Sequence, residues 1–277
     1  MQSEIALIKP LQVAIGAAQA AAVPILERFR AHDLQVDGKG DGSPVTEADR
    51  AAEGVIRAQL KAAFPDIDIC GEEEGSEDTG SRYQWVVDPI DGTLSFLHGV
   101  PLFGTLIGLE DRQSQAALLG VIHLPALQET YAGGRDLGVR CNGEELSLAK
   151  TSADQRAASS EDRFESTLLS VGDPLQFELA GCLEDYRTLT NRPLLRGYTD
   201  CFGHAMVLRG AVGAMVDPGL APWDLAASRA LVLAAGGALF SRPSRQEGKT
   251  DVILGRTDLV EMVADELNWT NKGTLET

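Results

Sequence analysis

Two carboxylates three residues apart, Asp88 and Asp91, interrupt an apolar run, Trp85-Val-Val-Asp-Pro-Ile-Asp-Gly-Thr-Leu-Ser-Phe96. Pro89 fixes the backbone there and Gly92 permits a sharp turn, so both acids can face one concavity. Like charges held that close repel unless a cation sits between them. Hard divalent cations take clustered carboxylate oxygens, and phosphate chemistry uses such cations. The competing explanation is a turn in which each Asp accepts from a backbone N–H. For an isolated Asp-Pro-X-Asp-Gly the two stand even. Acids recurring at Glu72, inside Gly71-Glu-Glu-Glu-Gly75, and at Asp224, after Pro222-Trp223, favour the cation.

Each further residue carries a plain structural explanation beside the chemical one. The N–H groups of Gly92 and Thr93 could bind phosphate oxygens, or Thr93 could be only a cap. A triple-Glu run is ordinarily a solvated turn. This one follows the apolar Ile67-Asp-Ile-Cys70, so one Glu can point inward. Asp224 falls in the first turn of an expected helix, where the macrodipole favours an acid anyway. His32, His98, His123 and His204 are scattered and make no metal set. No P-loop, nucleophile elbow or dinucleotide fingerprint is present.

The elements that must position these residues follow from periodicity. Residues 4–30 have helical spacing, with Pro10 and Pro24 predicting an irregular start or a kink. Residues 37–44 form a loop. Thr46 caps a helix that Pro65 closes, with a stripe of Val55, Ile56 and Leu60. Short strands at 67–70 and 84–87 lead into the acidic turn and into Asp88. Strands at 104–109, 117–123 and 128–132 read as antiparallel neighbours, and 139–148, with Asn142-Gly143 inside, as a hairpin. The polar stretch 151–165 marks a boundary, dividing the chain into subdomains 1–150 and 151–277. Beyond it lie strands at 167–171 and 194–196 with a helix at 177–186 between them. Then come a helix from Cys201 to Leu208, a strand at 214–216, and a helix from Pro222 to Ala235 that Gly236-Gly237 ends. Strands at 237–240 and 252–254 and a helix capped by Thr257 complete the chain, with a loose tail after Trp269. The fold class is α/β of the α+β type, with strands and helices in layers.

Composition excludes several classes. The 277 residues are 44% hydrophobic and 23% charged, as in a globular protein with a sizeable core. A net charge of −17 repels nucleic acid and anionic membrane, so neither is an expected partner. Cys70, Cys141, Cys182 and Cys201 form no CxxC pair, which fits reduced thiols. The charge-free segment from Pro10 to Leu26 is Ala- and Gln-rich and short for a bilayer span, and reads as a packed helix. A cytoplasmic protein is expected.

Four ordered segments resemble the signatures of the inositol monophosphatase superfamily across nearly the whole chain. They are Gly42-Ser-Pro-Val-Thr-Glu-Ala-Asp49, Gly71-Glu-Glu73, Asp88-Pro-Ile-Asp-Gly-Thr93, and Trp223-Asp-Leu-Ala-Ala227 followed by Ala235-Gly-Gly237. The resemblance implies a layered αβαβα sandwich and a Mg²⁺-dependent phosphomonoesterase, commonly homodimeric and often Li⁺-sensitive. It implies that Glu72, Asp88 and the Ile90 carbonyl hold one ion, that Asp88, Asp91 and Asp224 hold a second, and that a weaker third lies near Glu72. It gives Asp49 and Thr93, with Glu72, to activation of the attacking water, and Gly92 and Thr93 to the phosphate. Lys39 would stand close to the metal loop. Water would attack the phosphate in line, without a phosphoenzyme.

Selectivity is sought elsewhere. Inositol-specific members usually carry a Gly-Ser-Ala-Ala-like run and a Glu seven residues ahead of the last metal Asp. This chain has Arg196-Gly-Tyr-Thr-Asp-Cys-Phe-Gly-His204 and then Met215-Val-Asp-Pro218, which look more like the histidinol-phosphatase branch. Thr199 and His204 depart from the Gly and aromatic residues expected in that branch. Histidinol phosphate carries an amine and an imidazole, which Asp200 and Asp217, with His204, could engage by charge-assisted hydrogen bonds. The structural alternatives are that Asp200 caps the next helix and that Asp217 is a turn residue at a strand end. An inositol monophosphatase, a nucleotide 3′-phosphatase or sugar bisphosphatase, and a non-catalytic metal-binding dimeric regulator remain as alternatives.

Overall fold

The computed structural model describes residues 5–34, 36–38, 44–148 and 164–277. Lys39 and the expected boundary between residues 150 and 151 lie outside them. Helix α1 (Ile8–Arg28) runs unbroken through Pro24 and buries a small-residue face of Ala14, Ala17, Ala18, Ala21 and Ile25. That face packs on α2 (Glu47–Ala63). By length and composition alone α1 could cross a membrane, but here its apolar face belongs to the core. Thr46 caps α2 as its type predicts: its hydroxyl accepts from Ala48 N–H at 3.1 Å, while Asp49 reaches back to Thr46 N–H at 2.8 Å.

These two helices cover one face of an eight-stranded sheet. Its strands are β3 (Asp68–Gly71), β4 (Gly75–Ser76), β5 (Tyr83–Asp91), β6 (Gly104–Asp111), β7 (Ala116–Leu124), β8 (Glu129–Gly134), β9 (Gly138–Cys141) and β10 (Glu144–Leu146). They lie in the order β10-β9-β8-β7-β6-β5-β3-β4, with only β3–β5 parallel. A separate two-stranded ribbon pairs β1 (Val36–Gly38) with β2 (Pro44–Thr46), flanking part of the expected loop. Asn142 and Gly143 both have positive φ, as a two-residue hairpin turn between β9 and β10 demands.

The second sheet has six strands: β11 (Leu169–Val171), β12 (Leu195–Arg196), β13 (Ala214–Leu220), β14 (Ala238–Pro243), β15 (Thr250–Gly255) and β16 (Thr274–Glu276). Their order is β12-β11-β13-β15-β14-β16. Along β13, β14 and β15 the side chains alternate between two cores: Met215, Leu239, Val252 and Leu254 face inward, while Val216, Phe240 and Ile253 face outward. Helices α4 (Pro174–Leu179), α5 (Leu183–Thr190) and α8 (Thr257–Glu266) cover the outer face. Helices α6 (Asp200–Leu208) and α7 (Pro222–Ala234) fill the space between the sheets. The result is the expected α–β–α–β–α stack. Gly120 lets α7 settle onto the first sheet, since a Cβ there would lie 2.2 Å from the Ala227 carbonyl oxygen.

Four expectations are corrected. The single helix at 177–186 is two, α4 and α5, because Gly181 takes φ 73° between them. Strand β13 continues through Pro218 and Gly219, so Asp217 lies inside a strand and not in a turn at its end. Arg256 occupies the cap position of α8, and Thr257 is the first helical residue. The tail is not loose: Trp269 is fully buried and β16 pairs with β14.

Candidate active site

The Asp88–Asp91 turn is a break in a sheet ladder. β5 pairs regularly with β6 as far as Asp88 opposite Leu106, then slips, and pairing resumes with Asp91 opposite Gly104. Pro89 has no N–H to give the ladder, and the one extra residue, Pro89 and Ile90 standing against Thr105 alone, turns the chain. Asp88 Oδ1 accepts from Ile90 N–H at 2.9 Å, so the backbone-capping role is present. Thr105 Oγ donates to the Pro89 carbonyl at 2.8 Å and Thr93 Oγ to the Ile90 carbonyl at 3.1 Å. Gly92, at φ 85°, starts the short helix α3 (Thr93–Leu97). The N–H groups at such a start have no intrahelical partner, which suits the phosphate role expected of Gly92 and Thr93.

The cation-binding role is present as well. One oxygen from each of Asp88, Asp91 and Asp224 lies within 4.8 Å of the others. Asp224 arrives from the start of α7, where its other task is to accept from Ala221 N–H at 2.8 Å. Asp91 Oδ2 accepts from Cys201 N–H at the start of α6. Glu72 stands in the turn between β3 and β4, its N–H donating to the Val87 carbonyl at 3.2 Å and its carboxyl hydrogen-bonded to Asp88.

Electrostatics distinguishes this cluster from ordinary turn carboxylates. Removal from water, then the Glu72 charge, pushes the Asp88 carboxyl well above its usual range. Removal from water, then Asp200 and Asp224, does the same to Asp91. Asp224 is pushed up to about 7 by burial, against the pull of Ala221 N–H, with Glu72 raising it further. Three carboxyl groups thus hold protons they would shed in water, for want of compensating positive charge. An all-oxygen, anionic donor set of this kind fits a hard divalent cation such as Mg²⁺.

The remaining expected residues fall in two places. Asp49 is fully buried at the start of α2, its Oδ2 accepting from both Thr46 N–H and Thr46 Oγ–H. Asp200 is at the site: its Oδ2 lies 3.3 Å from where a Cβ on Gly92 would be, and its φ is 57°. Burial raises its carboxyl to about 6, with the Thr199 hydroxyl opposing at 2.8 Å and Asp217 adding to the rise. His204 and Asp217 face each other instead of open solvent. His204 Nε2 is 3.3 Å from Asp217 Oδ2, His204 Nδ1 is 2.8 Å from Ser228 Oγ, and all three residues are buried. The two side chains bring α6 against β13, and the Ser228 hydrogen bond brings α6 against α7.

Two contributors escaped the sequence reading. The Cys201 backbone N–H could not be found from residue type. Glu53 could: it falls on the buried stripe of α2 with Ala52, Ile56 and Leu60, where an acid needs a reason.

Comparison with known proteins agrees with this geometry. The sequence profile of the inositol monophosphatase family matches residues 8–267. A histidinol-phosphatase of Chlorobaculum parvum is 39% identical over 236 residues, 85% of this chain and 87% of its own. One from Streptomyces coelicolor is 35% identical over 252 residues, 89% of this chain and 92% of its own. The crystal structure of extragenic suppressor protein suhB from Bartonella henselae superposes with a TM-score of 0.78 at 25% identity, covering 95% of this chain and 99% of that one.

Proposed function

The chain belongs to the inositol monophosphatase family and is a metal-dependent phosphoric monoester hydrolase; from that premise we propose that it is a Mg²⁺-dependent histidinol-phosphatase. The observation that carries the substrate is Asp200. Its carboxylate lies against Gly92, beside the metal-binding Asp91, where the alcohol of a bound phosphate ester would project. Asp217 and Asp173 add negative charge around it. A cationic alcohol gains a charge-assisted hydrogen bond there, and inositol, with neutral hydroxyls, gains less. Similarity to the histidinol-phosphatases of Chlorobaculum parvum and Streptomyces coelicolor supports the same choice.

Asp88, Asp91, Asp224 and Glu72 would hold the metal, with the Ile90 carbonyl a further donor. When bound, the cation supplies positive charge to the phosphate oxygens and makes water a stronger acid. The protein's own groups do the rest. The N–H groups of Gly92 and Thr93 bind phosphate. Thr93, its proton given to the Ile90 carbonyl, keeps an oxygen lone pair for orienting water. Asp49, held at the start of α2 by Thr46, would take the proton from the attacking water, a step worth about 10²–10⁴-fold. A homodimer belongs to the same proposal and is checked by light scattering.

Phosphate release with Mg²⁺ from L-histidinol phosphate, inositol 1-phosphate and adenosine 3′,5′-bisphosphate tests the substrate. Histidinol phosphate should have the highest kcat/KM. A preference for inositol 1-phosphate of about tenfold, near 1.4 kcal/mol, would overturn it.

A further inference from the structure

The acidic turn that carries Glu72 is fastened from beneath by a buried carboxylate. Glu53 of α2 has no exposed surface. Its Oε2 accepts from Glu73 N–H at 2.8 Å, and its Oε1 from Glu74 N–H at 3.1 Å. Oε1 also accepts from Arg57 Nε at 2.8 Å, one helical turn along. The same Arg57 guanidinium donates to the Gly75 carbonyl at the far end of the turn. On the other side Glu72 N–H is tied to Val87, the residue before Asp88. Both flanks of Glu72 are thus held while its carboxyl stands against Asp88.

This arrangement explains why the turn begins with glycine. A Cβ on Gly71 would lie 2.1 Å from Glu53 Oε1 and 2.8 Å from Arg57 Nη2. The space a side chain would need is filled by the Glu53–Arg57 pair. Taking an acid into a helix's buried stripe is costly unless its oxygens are fully used. Here three donors use them, and two belong to the residues following Glu72.

We propose that Glu53 is a positioning residue for the metal centre: with Arg57 it sets the Glu72 turn against Asp88 and thereby sets the affinity for the cation. The proposal rests on the assignment of Glu72, Asp88, Asp91 and Asp224 as metal ligands. Glu53 touches neither substrate nor metal and acts only through the backbone of the turn. Groups that orient ligands in this way typically account for about 10- to 100-fold in metal affinity or activity.

The test is isothermal titration of Mg²⁺ into wild type, Glu53→Gln, Glu53→Asp and Gly71→Ala, with kcat measured at saturating Mg²⁺. Glu53→Gln replaces one acceptor oxygen with an NH₂ that meets the same donors. It should raise the Mg²⁺ dissociation constant by about 10- to 100-fold and leave kcat at saturation within about threefold of wild type. Glu53→Asp, which keeps the charge, should fall between. Gly71→Ala leaves Glu53 intact but displaces it, so it should weaken Mg²⁺ binding by the same route. If Glu53→Gln does not fold, Gly71→Ala and Glu53→Asp decide the matter. Wild-type Mg²⁺ affinity in the folded variants would overturn the proposal. Failure of the wild type itself to bind Mg²⁺ would overturn the metal assignment, and this inference with it.

Discussion

At the scale of single residues, the site is a set of acids prevented from being acids. The Asp224 carboxyl, raised to about 7, sits well above the value of about 4 for a free Asp. A group with a raised folded value favours folding only while protonated. Its contribution is complete below about pH 4 and is lost as pH climbs toward 7. Asp88 and Asp91 add to the loss with the same sign. Asp111 behaves oppositely. The Arg82 guanidinium beside it holds that carboxyl well below the usual range, so its contribution is present above about pH 4 and lost on acidification. A bound cation removes the penalty of the first group only. Thermal melts should therefore show Mg²⁺ raising Tm more at about pH 8 than at about pH 5.5, relative to EDTA. Equal rises at both pH values would mean that the cation is not engaging these carboxylates.

At the scale of elements, the chemistry depends on which pieces of backbone meet. Asp88 and Asp91 come from a strand end, Asp224 from the start of α7, and Asp91 is tied to the start of α6. His204 joins α6 to β13 through Asp217 and to α7 through Ser228. Removing the buried imidazole leaves a cavity and takes the hydrogen-bond partner from Ser228, so His204→Ala should cost about 3–5 kcal/mol in urea unfolding. Asp217→Asn, which keeps an oxygen in place, should cost only about 1 kcal/mol. Equal, small losses would show that the pair does not hold the helices together. Much of this level was legible in the sequence, because caps, turns and ladder breaks are local. Thr46 with Asp49, Asn142-Gly143, and Asp-Pro-Ile-Asp-Gly each announce their geometry within a few residues. The His204–Asp217–Ser228 link was not legible. It forms only where a helix, a strand and another helix cross, and histidine and aspartate beside a site read equally well as substrate contacts. Glu53 was legible only in part: its place on the buried stripe of α2 marks it, but an acid four residues before an arginine also fits an ordinary helix pair, and its role needs the turn packed over it.

At the scale of the whole molecule, the five layers bring distant motifs to one place, and the net charge sets the field around it. The acids that could hold a metal come from the first sheet and from α7 between the sheets, so the cluster exists only when those layers are stacked. A net charge of −17 concentrates cations near the surface. Raising ionic strength from about 0.01 M to 0.15 M shortens the screening length from about 30 Å to 8 Å. Mg²⁺ binding should weaken several-fold over that range while kcat at saturation holds. An affinity indifferent to salt would confine the attraction to the site's own ligands. The central claim is that Asp88, Asp91 and Asp224 form the metal centre of a phosphatase. Its most direct test is phosphate release from L-histidinol phosphate, titrated with Mg²⁺ after EDTA treatment, for wild type and Asp224→Asn. Wild type should be inactive without the metal and active with it, and the folded variant should lose about a hundredfold or more at any Mg²⁺ concentration. Release that persists in EDTA, or a variant as active as wild type, would contradict the account.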